Sequence, residues 1–529
     1  MSSETSTATS VLASTALSPE RLETLSARVV SSSADRINVS APATDEPFAS
    51  IPACESADVA AAVERAREAQ SAWADRSPAD RAAVVDRFGD LVLDRREELL
   101  DLTQLETGKA RRTAAEELLD VPMACAYYAD TGPDLVDEER RRGAFPGATS
   151  ARVTYDPVGV VGVIAPWNYP LTLAVTDAIP ALVAGNAVVL KPDEKTPFVA
   201  LALAELLEEA GLPDGVLEVV TGEGAVAGPA LIDSVDYVAF TGSTETGRTV
   251  AERAGRNLID CSLELGGNNP LLVLDDADVE EAARGAVTAC FTNAGQLCLA
   301  VERIYVVESR YDEFLDAFVG ATRRLSLGTD FDYRADVGSL VDADQLARVE
   351  DHLSNAVDTG ASVVSGGRHR PDVGPYCFEP TVLTDVDPDS TVACEETFGP
   401  VVSVTSVSDT EAAIAAANDS HYGLNASVWT SDRERGRDVA RRLDCGTVCV
   451  NDAYISGWAA IDAPMGGFGD SGLGRRHGPE GMTRFLETRT IATSRIGPVT
   501  FPSGSTTKWA LGAAFRLLGL QRRLRRWRR

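Results

Sequence analysis

The sequence predicts an α/β protein whose parallel sheets are covered by helices on both faces, and three observations carry that prediction. From residue 153 onward, short runs rich in Val, Ile and Leu recur, broken by Gly and Pro. Stretches with apolar residues at helical spacing separate these runs, and strands alternating with helices favour parallel pairing because each parallel strand needs a crossover connection. With 529 residues and 44% hydrophobic content, the chain is long enough for two or three cores.

Taken in order, residues 1–30 open rich in Ser, Thr and Ala and are expected to be mobile; they lack the basic and unbroken apolar regions of a signal peptide. Residues 57–73 and 78–102 have helical periodicity. Runs 158–164, 187–190, 216–220 and 237–240 read as buried strands. Between them, 197–210 reads as a helix, with Pro197 in its first turn and Gly211 just past its end. A second series follows from 271 to about 450, with helices expected at 279–294, 311–325 and 342–359 and a strand at 303–307. A domain boundary is therefore expected near Leu265-Gly266-Gly267, with a second domain at 266–458 after it. In the tail, 501–529, there are eight basic residues and no acidic ones. Trp509, Leu511, Phe515, Leu518, Leu524 and Trp527 fall on one side of a helix there, expected to lie on the protein's own acidic surface, with an anionic membrane surface as the alternative.

Composition excludes several classes of function. Eighty acidic against 49 basic residues leave a net charge of −31, and only Lys109, Lys191, Lys195 and Lys508 are lysines. Such a surface suits concentrated salt, where carboxylate repulsion is screened, so a halophilic source is expected; it also repels nucleic-acid phosphates. Nine scattered cysteines and four histidines show no ligand spacing, so no metal site is expected, and free thiols point to a reducing cytoplasm. No uncharged apolar run reaches the roughly 18 residues of a membrane span.

Three residues suggest chemistry. Cys298 follows Asn293-Ala294-Gly295-Gln296-Leu297, a glycine-containing turn after a helix, where a thiol can be presented with its own N–H free. Glu264 stands between Leu263 and Leu265, an apolar setting that raises a carboxyl pKa toward that of a general base. Asn168, in Pro166-Trp167-Asn168-Tyr169-Pro170, follows a strand and offers an amide donor for an oxyanion.

These residues and their neighbours resemble the aldehyde dehydrogenase superfamily from about residue 52 to 494. The similarity is carried, in the family's order, by Pro166-Trp167-Asn168-Tyr169-Pro170, Lys191-Pro192-Asp193-Glu194, Phe240-Thr241-Gly242-Ser243 through Gly247, Leu263-Glu264-Leu265-Gly266-Gly267, Gly295 through Cys298, Glu395-Glu396-Thr397-Phe398-Gly399-Pro400, and Pro464-Met465-Gly466-Gly467 through Gly472. The resemblance implies an aldehyde dehydrogenase-like fold: a nucleotide-binding α/β domain of 31–138 and 157–265, a catalytic α/β domain of 266–458, and a small β flap, formed by 139–156 and 486–500, that pairs with another subunit in a dimer or tetramer. It implies Cys298 as nucleophile, Asn168 as oxyanion donor and Glu264 as the base that hydrolyses the thioester. It also implies that Trp167, Lys191, Glu194, Gly242, Ser243, Glu396 and Phe398 contact a nicotinamide coenzyme. Glu194 accepts from a ribose 2′-hydroxyl and repels a 2′-phosphate, which favours NAD, while Lys195 leaves NADP open. Stretches such as 293–305 and 471–481 are most similar to actinobacterial succinate-semialdehyde dehydrogenases. Where better-understood members carry arginines and a serine for the substrate carboxylate, this chain has Thr176, Thr292 and Ala460. Nearby Tyr454, Ser456, Trp458 and Phe291 suggest a partly aromatic pocket. Succinate semialdehyde is thus the expected substrate, and a broader aliphatic or aromatic aldehyde range the alternative.

Overall fold

The computed structural model describes residues 12–143, 148–495, 497 and 503–527. These form two compact units, one of 1–136 with 156–487, the other of 137–155 with 488–529.

The first unit contains two large sheets. In the six-stranded sheet the order is Gly472–Leu473, Asp260–Glu264, Tyr237–Thr241, Val160–Ile164, Ala187–Lys191, Leu217–Val219. All neighbours are parallel except the Gly472–Leu473 strand, which returns antiparallel to Asp260–Glu264. The seven-stranded sheet runs Ser362–Ser365, Thr381–Thr384, Val401–Val407, Val301–Val307, Asn269–Val273, Asn425–Trp429, Thr447–Val450. Its central strands are fully buried runs such as Asn269–Val273, as a sheet covered on both faces requires.

Several helices begin and end as the sequence dictates. Ser77 caps Pro78–Asp94 by accepting the Asp80 N–H at 3.1 Å, and Pro197–Glu209 starts on its proline and ends before Gly211 at φ +102°. Others differ from expectation. The periodic stretch 78–102 is two helices, because Arg95 leaves helical geometry between Pro78–Asp94 and Arg96–Thr107. The helix expected to reach residue 294 stops at Phe291, since Asn293 and Ala294 turn left-handed. The 25-residue helix Arg111–Leu135 went unforeseen; Pro122 and Pro133 inside it mask the pattern. Mobility was expected throughout 1–30, yet Pro19–Ser26 is a helix with Leu22 and Leu25 buried, and Arg21 pairs with Glu98 and Glu205. Residues 1–11 of that segment lie outside the described residues.

The second unit holds a three-stranded sheet in the order Leu486–Ser494, Thr149–Pro157, Glu139–Arg142, and the helix Ser505–Trp527. The family resemblance anticipates these strands within 139–156 and 486–500, although the charged Glu139–Arg142 gives no apolar signal. In the tail helix, Trp509, Phe515, Leu517, Leu520 and Leu524 are exposed, and the Trp527 side chain lies outside the described residues.

One buried charge pair positions the chain between the sheets. Lys109 and Glu117 are both fully buried, 2.5 Å apart. Lys109 Nζ also donates to the Asn168 carbonyl at 2.7 Å, and Glu117 accepts the Leu171 and Thr172 N–H groups at 2.6 and 3.1 Å. Removing one member of such a pair leaves an uncompensated buried charge. Lys109→Met should therefore lower unfolding free energy by about 3 kcal/mol. Denaturant titration at constant salt checks this, and a loss below about 1 kcal/mol would show that the pair is replaceable.

Candidate active site

Functional side chains gather where the C-terminal ends of the first sheet's strands face the N-terminal ends of the second's. Val160–Ile164 leads to Trp167 and Asn168, Tyr237–Thr241 to Gly242 and Ser243, and Asp260–Glu264 ends on Glu264 itself. From the other sheet, Cys298 lies just before Val301–Val307, and Glu396 and Phe398 just before Val401–Val407. All eight of these residues line one cleft of about 240 Å³, with Gln345 and Arg348. Open parallel sheets present ligand sites at strand C-termini for this reason.

The loop carrying Cys298 is tightly determined. Asn293, Ala294 and Gly295 are successively left-handed, at φ 55°, 55° and 74°. A Cβ on Gly295 would stand 2.1 Å from the Gly399 carbonyl oxygen, so only glycine passes there. Gln296 accepts the Val341 N–H at 2.9 Å and donates to Asn293 O at 3.0 Å. Asn269 Nδ2 donates to the carbonyls of Cys298 and Ala300, both at 2.7 Å. The Asn168 amide, itself buried, donates to Gln296 O at 3.1 Å, which uses one of its two N–H groups.

The electrostatics suit acid–base work. Burial pushes the Cys298 thiol up to about 12, with Glu396 and Glu264 adding to the rise and Arg476 opposing it. Glu264 is buried with neither carboxyl oxygen hydrogen-bonded, and desolvation raises it to about 7. Glu396 accepts the Gly267 N–H at 2.9 Å and, also through burial, reaches about 7. Phe398 is left-handed at φ 57°, held by Glu302, whose carboxyl oxygens accept the Thr397 and Phe398 N–H groups at 2.8 Å each.

The cleft fits a dinucleotide coenzyme on its own features. Ser243 caps the 14-residue helix Thr244–Asn257, whose N-terminal dipole opens at the cleft and favours phosphate. Trp167 and Phe398 meet edge to face at 5.6 Å, giving flat apolar walls. At Gly242 the reason for glycine is internal: a Cβ would lie 2.6 Å from the Phe240 ring. Lys191 and Glu194 do not line this cleft; they pair with each other at 3.3 Å at the end of the neighbouring strand Ala187–Lys191.

A second, smaller chamber opens on the far side of Cys298 and Asn168, lined also by Asp120, Tyr169, Thr176, Trp458 and Arg476. Of the three positions compared with carboxylate-binding residues, Thr176 alone lines it. Among the aromatic candidates, Trp458 lines it, with Tyr454 packed on Trp458 at 6.3 Å, whereas Phe291 is in the core, stacked on Phe318. Sequence reading missed Glu302, Gln345, Arg348, Asp120 and Arg476 as site residues. Arg476 stands in the Gly474-Arg475-Arg476-His477 run, but nothing local signals that it lines a chamber with Cys298.

Comparison with known proteins agrees with this geometry. Residues 29–491 match the aldehyde dehydrogenase family model. A Mycobacterium tuberculosis protein provisionally named succinate-semialdehyde dehydrogenase NADP(+) 2 is 50% identical over 467 residues, covering 88% of this chain and 90% of that one. Glutarate-semialdehyde dehydrogenase of Pseudomonas aeruginosa is 37% identical, covering 87% and 94%. Among solved structures, Staphylococcus aureus betaine aldehyde dehydrogenase in complex with NAD+ superposes with TM-score 0.86 at 33% identity over 92% of this chain and 98% of that one. An E. coli NADP-dependent enzyme gives TM-score 0.85 at 35% identity over 88% and 96%. With its two sheets, its cleft and these matches, the chain is a member of the aldehyde dehydrogenase family.

Proposed function

We propose that this enzyme oxidises succinate semialdehyde to succinate with NAD(P), through a thioester on Cys298. The observation that supports this most is the convergence of Cys298, Glu264 and Asn168 on one cleft. Burial keeps the Cys298 sulfur protonated at neutral pH, so its proton must pass to a base as the S–C bond to the aldehyde carbon forms. Water in the cleft carries that proton away to solvent, and Glu264, raised to about 7, is kept for the hydrolytic step. The carbonyl π electrons move to oxygen, where the second Asn168 N–H and the Cys298 backbone N–H hold the charge. When bound, the nicotinamide coenzyme supplies the hydride acceptor. Glu264 then takes a proton from water as its oxygen adds to the thioester, and the C–S bond breaks to release the acid.

Trp167, Gly242, Ser243, Glu396 and Phe398 would hold the nicotinamide half and the phosphates, and Lys191 with Glu194 the adenosine ribose. Glu194 favours NAD, but its pairing with Lys191 and the adjacent Lys195 soften the repulsion of a 2′-phosphate. The three-stranded flap is assigned to subunit pairing, as dimer or tetramer, since its outer strands need partners. Among the described residues, no helix is long and apolar enough to cross a membrane. A cytoplasmic setting and concentrated salt fit the free thiols and the −31 charge. A second reading, a wider aliphatic or aromatic range, is favoured by Tyr169 and Trp458, whose rings lie 5.6 Å apart beside the chamber.

Cys298→Ala should abolish turnover with every aldehyde. Glu264→Gln should lower steady-state kcat by about 100-fold or more, while stopped-flow still shows a burst of reduced coenzyme near one per active site. A Glu264→Gln enzyme at full steady-state rate removes the base assignment. The sign of the pH effect follows from the raised pKa: a carboxyl near 7 is neutral and idle below it, so hydrolysis should rise as pH passes through about 7. Loss of that ascending limb in Glu264→Gln assigns it to this group. For coenzyme and substrate, kcat/KM in molar KCl is compared for NAD and NADP, each with succinate semialdehyde, hexanal and benzaldehyde. Higher values for hexanal or benzaldehyde would replace the named substrate with the wider range.

A further inference from the structure

The chamber beyond Cys298 contains a buried charge that the reaction steps above leave unused. Asp177 receives two guanidinium groups: Arg476 through Nε and Nη2 at 3.0 and 2.7 Å, and Arg484 through Nη2. Arg476 Nη2 also donates to Thr241 Oγ1 at 2.8 Å. Both Asp177 and Arg476 are buried, at 2% and 5% exposure. Two fixed cations thus share one fixed anion. Neighbouring His477 adds no further positive charge, because burial beside the guanidiniums holds it neutral, down to about 3. Glu264 also acts on Arg476 electrostatically, and a guanidinium with donors to spare draws an anion that can reach it. The bonds to Asp177 and Thr241 use Nε and Nη2, and Nη1 carries two further N–H donors. Arg476 lines the same chamber as Cys298, beside Thr176.

We infer that Arg476 is the receptor for the substrate's distal carboxylate, held by Asp177 so that its guanidinium serves a short ω-carboxylate aldehyde bound at Cys298. This rests on the semialdehyde reading above and supplies the arginine that Thr176, Thr292 and Ala460 do not. Asp120 lines the chamber too, and its charge would oppose an anionic ligand. Its two oxygens, however, are taken by the Thr172 hydroxyl and the Trp458 indole N–H, and burial pushes its carboxyl toward the neutral form. A cationic aldehyde would depend on Asp120 instead, which separates the two cases.

The test measures kcat/KM for succinate semialdehyde, for butanal of the same chain length, and for 4-aminobutanal, at one high ionic strength. Wild-type enzyme, Arg476→Gln, Arg476→Lys and Asp120→Asn are compared. The wild type should prefer succinate semialdehyde to butanal. Arg476→Gln should cut that ratio by about 30-fold or more, chiefly through KM, the scale expected when one partner of a buried charge pair is truncated. Arg476→Lys should fall between, and Asp120→Asn should not lower the ratio. Because both substrates are assayed on the same preparation, the ratio divides out any inactive fraction. Should Arg476→Gln yield no soluble enzyme, Arg476→Lys, which keeps a charge beside Asp177, decides alone. A ratio unchanged in the arginine variants overturns the assignment of Arg476. A wild type that favours butanal or 4-aminobutanal instead overturns the semialdehyde reading itself.

Discussion

Asn168 can face Cys298 only because its backbone is pinned by charges that water never reaches. Lys109 binds its carbonyl, and Glu117 closes the pair while taking the first N–H groups of the helix Pro170–Val175. Asn293, from the nucleophile's loop, donates to the same Asn168 carbonyl at 3.1 Å, and Asn168 returns a bond to Gln296. Nucleophile loop and oxyanion donor are thereby tied to each other and to a common buried anchor. Positioning of that kind places reacting groups before substrate arrives, which is where much of an enzyme's advantage lies.

Burial also sets the chemistry of the cleft. Glu264, Glu302 and Glu396 are all pushed up to about 7 or 8 by desolvation, and the Cys298 thiol is carried up to about 12 among them. A thiolate is the reactive form toward both aldehydes and oxidants, so a resting thiol at this height is spared idle reaction. The same carboxyls divide the labour by their partners. Glu302 and Glu396 accept backbone N–H groups and hold the loop geometry, while Glu264 has no hydrogen bond and stays available to a proton. Opposite charge collects on the other side, where Arg476 and Arg484 converge on Asp177. Cys298 thus lies between Glu264 and Glu396 in the coenzyme cleft and Arg476 in the substrate chamber.

What could be read along the chain, and what could not, divides by range. Strand runs such as 187–190 and 237–240 were legible because a strand buried on both faces must be apolar throughout. Helix limits were legible where a local cap or proline sets them, as at Ser77 and Pro197. They were misread at Arg95, where the backbone breaks without a side-chain cap, and at Asn293, next to a turn packed on a distant loop. The left-handed run at Asn293–Gly295 makes sense only against the Gly399 carbonyl, a hundred residues on.

The sequence by itself determined the alternation of strands and helices, the acidic surface, and the trio Cys298, Glu264 and Asn168, because each rests on composition, periodicity or a contiguous motif. Only the tertiary structure decided that these three share one cleft, that Lys109 is a buried anchor, and that Lys191 and Glu194 stand apart from that cleft. It also decided that an arginine lines the substrate chamber, although the positions that carry carboxylate-binding residues in similar enzymes hold Thr176, Thr292 and Ala460 here. Arg476 lies past the strand Gly472–Leu473, at an isolated bridge to Met465, and meets Asp177 across 299 residues, a pairing that leaves no trace in local pattern. Its only record is the packing that brings the two side chains together.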